Sequence, residues 1–276
     1  MDFRTVNLVR YAALALLASA LVSAEETSSL QSERPPAQSG KVCQPERIEN
    51  SSLVPFRDVA ADLACQQLRI WTFPKQLRRR NVLVPTLAVA GITAGLVLSD
   101  HSVASSFRGT SAFTSFNNVF ASNRTKNGII AAPIAFYGFA LLRRDRYAQQ
   151  TAIEAGEALV QAELISKALK AITQRPGPGG FTPTSYNRGT WFSGQSGAFP
   201  SSHSATAFAV ASVFARRYRD HKWVPYVAYG SASLIAFSTL TLVGHYPSEV
   251  FVGSAIGFSI GNFAVPGSRH FRLGSD

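Results

Sequence analysis

The sequence predicts an all-α protein, a bundle of about six core helices that is associated with a membrane or embedded in one. Apolar segments of helical length recur between residues 82 and 265, separated by short polar or charged stretches. None of them shows the alternation of apolar and polar residues that is typical of strands. With 276 residues, 46% of them hydrophobic, the chain can also bury one sizeable core.

The first 24 residues are predicted to be a secretory signal peptide. Arg4 and Arg10 precede an apolar run over residues 11–22, and small residues follow at 23 and 24, where cleavage would occur. We therefore expect an exported protein, located in the periplasm or in the cell-envelope membrane.

Residues 25–81 are predicted to be a polar linker followed by an amphipathic segment. Ser, Gln, Pro and Glu dominate residues 25–52, whereas the apolar spacing over 54–71 favours an amphipathic helix. The basic cluster at 75–80 suits either an anionic lipid surface or an ordinary charged turn. Cys43 and Cys65 either form a disulfide in an oxidising compartment or remain free thiols.

A helical domain is expected over residues 82–267, with a C-terminal tail at 268–276. Crossing a bilayer takes about 20 apolar residues, and the segment 224–243 alone reaches that length comfortably. Three glutamates within 151–173 indicate instead an amphipathic helix that packs on a core. The predicted helices cover residues 82–98, 129–142, 151–173, 204–215, 224–243 and 250–265.

The distribution of arginines leaves the membrane topology open. By the positive-inside rule, arginines at 143–146 and 216–219 lie on the cytoplasmic side, which places residues 175–202 outside. That arrangement starts the 82–98 segment from the cytoplasm, whereas a cleaved signal peptide puts residue 82 outside. Either the signal peptide is misread, or some of the helices form a soluble or peripheral bundle.

The net charge of +11 points to an anionic partner. We do not expect nucleic acid as a partner, because the chain has no zinc-ligand spacing and no aromatic-basic strand motif, and its arginines are scattered or grouped at helix ends. An anionic membrane surface or an anionic substrate remains, and the alternative is that the charge forms only a solvated basic face.

Two stretches of the chain suit phosphate binding, and each has a plain structural alternative. Lys170 and Arg175 lie at the predicted end of a helix, where a lysine charge and an arginine fork can grip phosphoryl oxygens or simply offset the helix dipole. Ser201, Ser202 and His203 precede an apolar run, which predicts a helix start with Ser201 as N-cap. Free N–H groups there suit an anion, although such residues are also ordinary caps.

A third stretch carries a second histidine. His245 lies just ahead of a predicted helix whose first turn holds Glu249. The carboxylate can therefore reach back, fix the histidine tautomer and raise its basicity. A purely structural pair is the alternative.

In this order, the three motifs resemble those of the superfamily of type 2 phosphatidic acid phosphatases, bacterial class A acid phosphatases and vanadium haloperoxidases. The resemblance covers roughly residues 125–262. It implies a phosphate site at the helix ends of an all-α bundle, and metal-free phosphomonoester hydrolysis through a phosphohistidine, with no cofactor. The haloperoxidase branch fits less well, because the chain is short for it and has few oxyanion-binding arginines.

The resemblance also implies a role for each motif residue. His245 is expected to be the nucleophile, Glu249 the carboxylate that orients it, and His203 the general acid that protonates the leaving oxygen. The substrate is expected to be a phosphorylated small molecule or lipid, such as a lipid phosphate or an isoprenyl pyrophosphate, bound at a site that faces the periplasm. The expected phosphate-binding residues are Lys170, Arg175, Ser201, Ser202 and Ser238.

The sequence departs from the family pattern at two arginine positions. Gly177 and Thr239 stand where the pattern has phosphate-binding arginines, and Arg175 is the expected replacement for the first. Milder departures are Glu249 for aspartate and Ser202 for glycine. Losing one oxyanion-binding donor typically costs about a hundred- to a thousandfold in rate. The alternative function is therefore a degenerate, weakly active or inactive member with an envelope or lipid-binding role.

Overall fold

The computed structural model of the chain describes residues 80–179, 190–194 and 197–264, together with Ala64, Gln67 and Trp71. The predicted signal peptide, the polar linker, both cysteines and the C-terminal tail lie outside the described residues. Of the predicted amphipathic helix, the three described residues are all helical. Trp71 donates to Gln67 at 2.9 Å, and Gln67 in turn bonds the buried side chain of Gln161.

All regular structure in the described ranges is helical, which confirms the predicted all-α class. The predicted segments 82–98, 129–142, 151–173 and 204–215 each lie within one helix, whereas the segment 224–243 extends two residues beyond the helix that ends at Thr241. Residues 250–264 of the last predicted segment cover a helix and its π-helical extension. The helices are α1 (Arg80–Arg108), α2 (Thr114–Val119), α3 (Ser122–Leu142), α4 (Arg146–Thr173), α5 (Ser202–Arg217), α6 (Trp223–Thr241) and α7 (Pro247–Ser259), and a π-helical turn (Ile260–Ala264) extends α7.

Helix α5 is the central helix of the bundle and packs against α4, α6 and α7. Small side chains such as Ala205, Ala209 and Val213 are fully buried along it. At its start, Ser201 is the N-cap, as predicted: its Oγ accepts from the backbone N–H of Ser204 at 3.4 Å. The N-terminus of α5 is thereby fixed at one end of the bundle core.

Three glycines spaced four residues apart bring α7 and its extension close to α5. A β-carbon on any of them would overlap the α5 segment, so these helices can approach only where a side chain is missing. The hypothetical β-carbons of Gly253, Gly257 and Gly261 would lie 2.5, 2.1 and 2.5 Å from the carbonyl oxygens of Ser201, Ala205 and Ala209.

Six helix termini meet at one end of the bundle, which we call the site end. The ends of α1, α4 and α6 lie there beside the starts of α3, α5 and α7. For example, Arg108 at the end of α1 donates to the carbonyl of Pro178, 2.7 Å away and just after α4. The opposite end is basic: Arg217 stacks on Tyr147 and pairs with Glu154 at 3.3 Å.

By length and composition, two of the described helical segments could cross a membrane, Val82–Arg108 and Ser122–Leu142. The sequence singled out 224–243 instead, and α6, the helix over that segment, is not one of the two. The predicted segments 82–98 and 129–142 were too short, because polar residues such as Asp100, Ser102 and Asn123 continue the helices beyond their apolar parts.

Candidate active site

A cleft of about 230 Å³ opens at the site end of the bundle. It contains both histidines of the sequence motifs, which reach it from different helix starts. His203 comes from the first turn of α5, and His245 from the loop just ahead of α7. The other lining residues are Phe120, Ser122, Thr125, Ser238, Thr239, Leu242 and Gly244.

His245 is held by the carboxylate that the sequence assigned to it. Its Nδ1 lies 2.8 Å from Oε2 of Glu249. The same oxygen accepts the backbone N–H of Tyr246 at 3.2 Å, which anchors the carboxylate at the helix start. Glu249 is fully buried, whereas the His245 side chain keeps 13% of its surface exposed. A carboxylate against Nδ1 requires the proton on that nitrogen, so Nε2 carries the free lone pair.

The loop that carries His245 is closed by backbone hydrogen bonds. The carbonyl of Thr239 accepts from the N–H groups of Gly244 at 3.1 Å and His245 at 3.2 Å. The carbonyl of Glu249 accepts from the N–H of Ser201 at 3.0 Å. These bonds hold the ends of α6 and α7 against the start of α5, so the two histidines sit on one connected framework.

His203 faces the start of α3. Its Nε2 lies 3.2 Å from the carbonyl oxygen of Ser122 and 3.4 Å from the Ser122 hydroxyl. A carbonyl can only accept, so Nε2 carries a proton. Burial lowers the pKa of His203 below its ordinary 6.5; the bond to Ser122 opposes this, while nearby His245, Lys170 and Lys126 add to it. The unliganded site therefore disfavours the imidazolium form.

Two lysines make the site electropositive. Burial lowers the pKa of Lys170 from its usual range, with Glu163 and Glu249 opposing this shift and Lys126 adding to it. Lys126 stands one residue after Thr125, which lines the cleft. Because both lysines act on His203, they lie close enough to the cleft to favour an anion there.

Of the three predicted serines, Ser238 lines the cleft, whereas Ser201 and Ser202 directly precede the lining residue His203 without lining the cleft themselves. Ser238 lines it, with its hydroxyl donating to the carbonyl of Ile235 at 2.7 Å. Ser201 is fully buried and its Oγ also accepts from the Ser204 hydroxyl at 3.1 Å. Ser202 is half-buried at the first position of α5, where helix N–H groups have no partner within the helix.

Arg175 lies outside the lining of the cleft. Its guanidinium is buried behind Glu249, where Nη2 contacts Asp100 at 2.7 Å and Nη1 donates to Ser248 at 2.9 Å. The sequence placed it on the phosphate because nothing in the motif reveals a buried acidic partner 75 residues earlier. The structure instead joins it to the support of the His245–Glu249 pair.

The two positions without arginine differ in the space around them. A β-carbon on Gly177 would lie 2.8 Å from the carbonyl oxygen of Gly244, so this position is glycine for close packing. Thr239 lines the cleft, and its hydroxyl donates to the carbonyl of Ala236 at 2.7 Å. Of the two positions, Thr239 lines the cleft and Gly177 does not.

Sequence reasoning missed the contribution of α1 and α3. Ser122, Thr125 and Lys126 precede or border the region of family resemblance, and Asp100 is far from any motif. One signal was present: Asp100 and His101 interrupt an otherwise apolar run, and a carboxylate within such a helix calls for a partner. In the described residues, no group of three or more His, Cys, Asp or Glu side chains could hold a metal ion.

Comparison with known proteins agrees with these motifs. The family model of the PAP2 superfamily matches residues 151–271. This matched PAP2 region includes Lys170, Arg175, His203, His245 and Glu249. It ends at residue 271, nine residues beyond residue 262, where the resemblance seen in the sequence was expected to end. Asp100, Ser122 and Lys126 precede it.

Among solved structures, the chain is similar to a transmembrane PAP2-type phosphatidylglycerolphosphate phosphatase from Bacillus subtilis. The two are 18% identical in sequence, the alignment covers 74% of this chain and 94% of that one, and the TM-score is 0.40. No curated protein matches the chain.

Proposed function

We propose that this protein is a PAP2-type, metal-independent phosphomonoesterase that works through a phosphohistidine on His245. One observation carries the proposal. His245, with Nδ1 bound to Glu249 at 2.8 Å, shares a cleft with a second histidine, His203, whose Nε2 carries a proton. A nucleophile oriented by a buried carboxylate, with a proton donor across a small cleft, is the arrangement that two-step phosphoryl transfer needs.

In the first step, the lone pair on Nε2 of His245 attacks phosphorus and the bond from phosphorus to the leaving oxygen breaks. The Nδ1 proton remains on the His245 ring, hydrogen-bonded to Glu249, whose negative charge stabilises the positive charge that develops on the ring. His203, protonated on both ring nitrogens for this step, gives its Nε2 proton to the leaving oxygen and becomes neutral, so the alcohol also departs neutral.

In the second step, water attacks the phosphohistidine. His203, now neutral, takes a proton from that water, and the bond from Nε2 of His245 to phosphorus breaks. Inorganic phosphate leaves, and both histidines return to their starting protonation states. Each step passes the proton through His203, so the balance closes without a metal ion or a cofactor.

The phosphate would be held by charges and N–H groups rather than by several arginines. Lys170 and Lys126 supply positive charge near His203, and the first turn of α5 at Ser202 offers free N–H groups. Ser201 and Ser238 are the remaining hydroxyl donors of the proposal. Because lysines lack the bidentate fork of arginine, we expect weaker phosphate binding than in relatives with arginine at the position of Thr239.

The substrate class that fits best is a phosphorylated lipid. Helices α1 and α3 are long and apolar enough to cross a membrane, and both have one end at the site end of the bundle. A lipid could lie along them with its phosphate at His245. The arginines of residues 143–146 and 216–219 lie at the opposite end of the bundle, so the positive-inside rule turns the cleft away from the cytoplasm, towards the periplasm.

The test is phosphate release by the full chain in detergent, from an aryl phosphate and from phosphatidic acid in mixed micelles. We expect wild type to hydrolyse both and His245→Ala to hydrolyse neither, while His221→Ala, at the opposite end, stays at the wild-type rate. Equal rates for wild type and His245→Ala would exclude the mechanism. Lipid binding without hydrolysis by wild type would favour the degenerate, lipid-binding alternative.

A further inference from the structure

We infer that Asp100 and Arg175 form a buried pair that positions Glu249, and through it His245, and that Arg175 acts there rather than on the phosphate. The pair itself follows from the geometry, whereas its effect on the reaction rate rests on the proposed function. Asp100 belongs to α1, outside the matched PAP2 region. The catalytic pair would thus depend on a helix that the family motifs do not include.

The guanidinium of Arg175 connects two carboxylates. Its Nη2 lies 2.7 Å from Oδ2 of Asp100, and its Nη1 lies 3.5 Å from Oε1 of Glu249. The side chains of Arg175 and Asp100 are each 3% exposed and that of Glu249 is fully buried. Buried ions of this kind persist only when each has a partner. Among the described residues, Oε1 of Glu249 accepts no hydrogen bond, so Arg175 is its compensating charge.

Aromatic rings fix the guanidinium in place. Its central carbon lies 4.7 Å from the centre of the Trp191 ring and 4.6 Å from that of Tyr246. Arginine stacks well on such rings, and Tyr246 is the residue between His245 and the start of α7. The contact therefore ties the guanidinium to the loop that carries the nucleophile.

Asp100 reaches the same loop by a second route. Its Oδ1 accepts the backbone N–H of Ser248 at 3.0 Å, and its Oδ2 accepts the Ser248 hydroxyl at 2.5 Å. Ser248 lies in the first turn of α7, directly before Glu249. The carboxylate of Asp100 thus caps the helix start that presents Glu249 and also holds Arg175, which lies against Oε1 of Glu249.

This geometry separates two possible roles of Arg175. A phosphate ligand would contribute to the binding of inorganic phosphate, whereas a positioning residue would leave that binding intact and affect the reactivity of His245. Removing Arg175 would also leave two buried carboxylates without their shared cation, which favours protonation of one of them. A protonated Glu249 no longer holds the Nδ1–H tautomer of His245 as firmly.

The experiment compares Asp100→Asn, Ser248→Ala and Arg175→Gln with wild type in the full chain. Asp100→Asn and Ser248→Ala keep Arg175 and change only residues that hold its guanidinium in place. We expect kcat to fall about tenfold or more in each, as for other outer partners that orient histidines, while inhibition by inorganic phosphate changes by less than about twofold. The matched control is Arg217→Gln, which removes a buried arginine from its own pair with Glu154 at the opposite end.

A readout that needs no activity makes the test independent of the proposed function. The chain has 5 histidines, so selective ¹⁵N-histidine labelling resolves the ring nitrogens of His245, assigned by loss of its signals in His245→Ala. The Nδ1–H tautomer should dominate in wild type and in Arg217→Gln, and its share should fall in Asp100→Asn and Arg175→Gln.

The outcomes separate two failures. An unchanged His245 tautomer and unchanged kcat in both variants, or an Arg175→Gln variant that loses phosphate binding while Asp100→Asn does not, would overturn the positioning role. If wild type and His245→Ala are equally inactive but the tautomer responds as expected, the pair stands and the proposed function fails. Should Arg175→Gln not fold, Ser248→Ala, which removes a single hydroxyl, decides.

Discussion

At the scale of single residues, the candidate site depends on one buried carboxylate. One carboxylate oxygen of Glu249 accepts a hydrogen bond from Nδ1–H of His245, and the other oxygen faces Arg175. The longer side chain of glutamate, compared with the aspartate usual in related motifs, still places its oxygen at 2.8 Å from the ring. The departure at this position is therefore compatible with an oriented histidine.

The pH dependence of the reaction should follow from His203. Burial, and beyond it the nearby charges, lower its pKa below 6.5 in the free protein. A general acid works only while protonated, so kcat/KM should fall as pH rises through this lowered value, and the alkaline limb should lie below pH 6.5. The measurement is kcat/KM for an aryl phosphate between about pH 4 and pH 9, a range that covers histidine titration.

Lys126→Ala offers a matched test of that assignment. Removing a neighbouring cation makes protonation of His203 easier, so the alkaline limb should move to higher pH. Lys222→Ala, at the exposed start of α6 and at the opposite end, should leave the limb in place. If the alkaline limb of the pH profile does not move in Lys126→Ala, or moves equally in both variants, the role given to His203 is contradicted.

Restoring arginine should help at one position and harm at the other. Thr239→Arg places a guanidinium at the lining of the cleft, and kcat/KM should rise about tenfold or more, since one oxyanion donor is commonly worth that much. Gly177→Arg should abolish activity, because its β-carbon would meet the carbonyl of Gly244 at 2.8 Å, next to His245. Activity assays with circular dichroism on both variants provide the check. A gain in Gly177→Arg, or a folded Thr239→Arg no faster than wild type, would count against this account.

At the scale of elements, the close contact of α5 and α7 sets the distance between the two histidines. Gly257→Ala should lower the melting temperature and the activity together, because its β-carbon would lie 2.1 Å from the carbonyl of Ala205. Gly156→Ala is the control, since a β-carbon there meets nothing within 4 Å. It should be neutral or stabilising by up to about 1 kcal/mol.

Thermal unfolding and activity, measured side by side, decide this prediction. If Gly257→Ala melts and reacts like wild type, the glycine contacts do not hold the site together. Equal losses in Gly257→Ala and Gly156→Ala would show that the cost belongs to any glycine in these helices rather than to the contact.

Local patterns in the sequence predicted the elements well where their ends carry a physical signal. Pro176 and the following glycines stop α4 at Thr173, the residue expected, and Ser201 caps α5 as expected. The length of α1 could not be predicted from hydrophobicity, because its last turns are rich in serine and contain Asp100. Those turns are held by a tertiary pair with Arg175, which no local pattern reveals.

At the scale of the whole molecule, the two ends of the bundle carry different groups of polar side chains. One end gathers the histidines, Glu249 and Lys170, and the other gathers an ion-pair cluster of Arg216 and Arg217 with Glu154. The sequence motifs predicted the first group, because each of the three motifs lies at the end or the start of a predicted helix. They could not predict the contribution of α1 and α3, since those residues lie outside the motifs and meet the cleft only through packing.

The central claim is that His245 becomes phosphorylated, and trapping the intermediate tests it most directly. Purified full-length protein is mixed with ³²P-labelled aryl phosphate, quenched in alkali, digested and analysed by mass spectrometry for phosphohistidine, which is stable in alkali and labile in acid. His203→Ala should accumulate label, because an aryl leaving group departs without an acid while the attack of water loses its base. The label should lie on the peptide that carries His245, and His245→Ala should have none. Label on another residue, or hydrolysis by wild type without any phosphohistidine in either protein, would contradict the account.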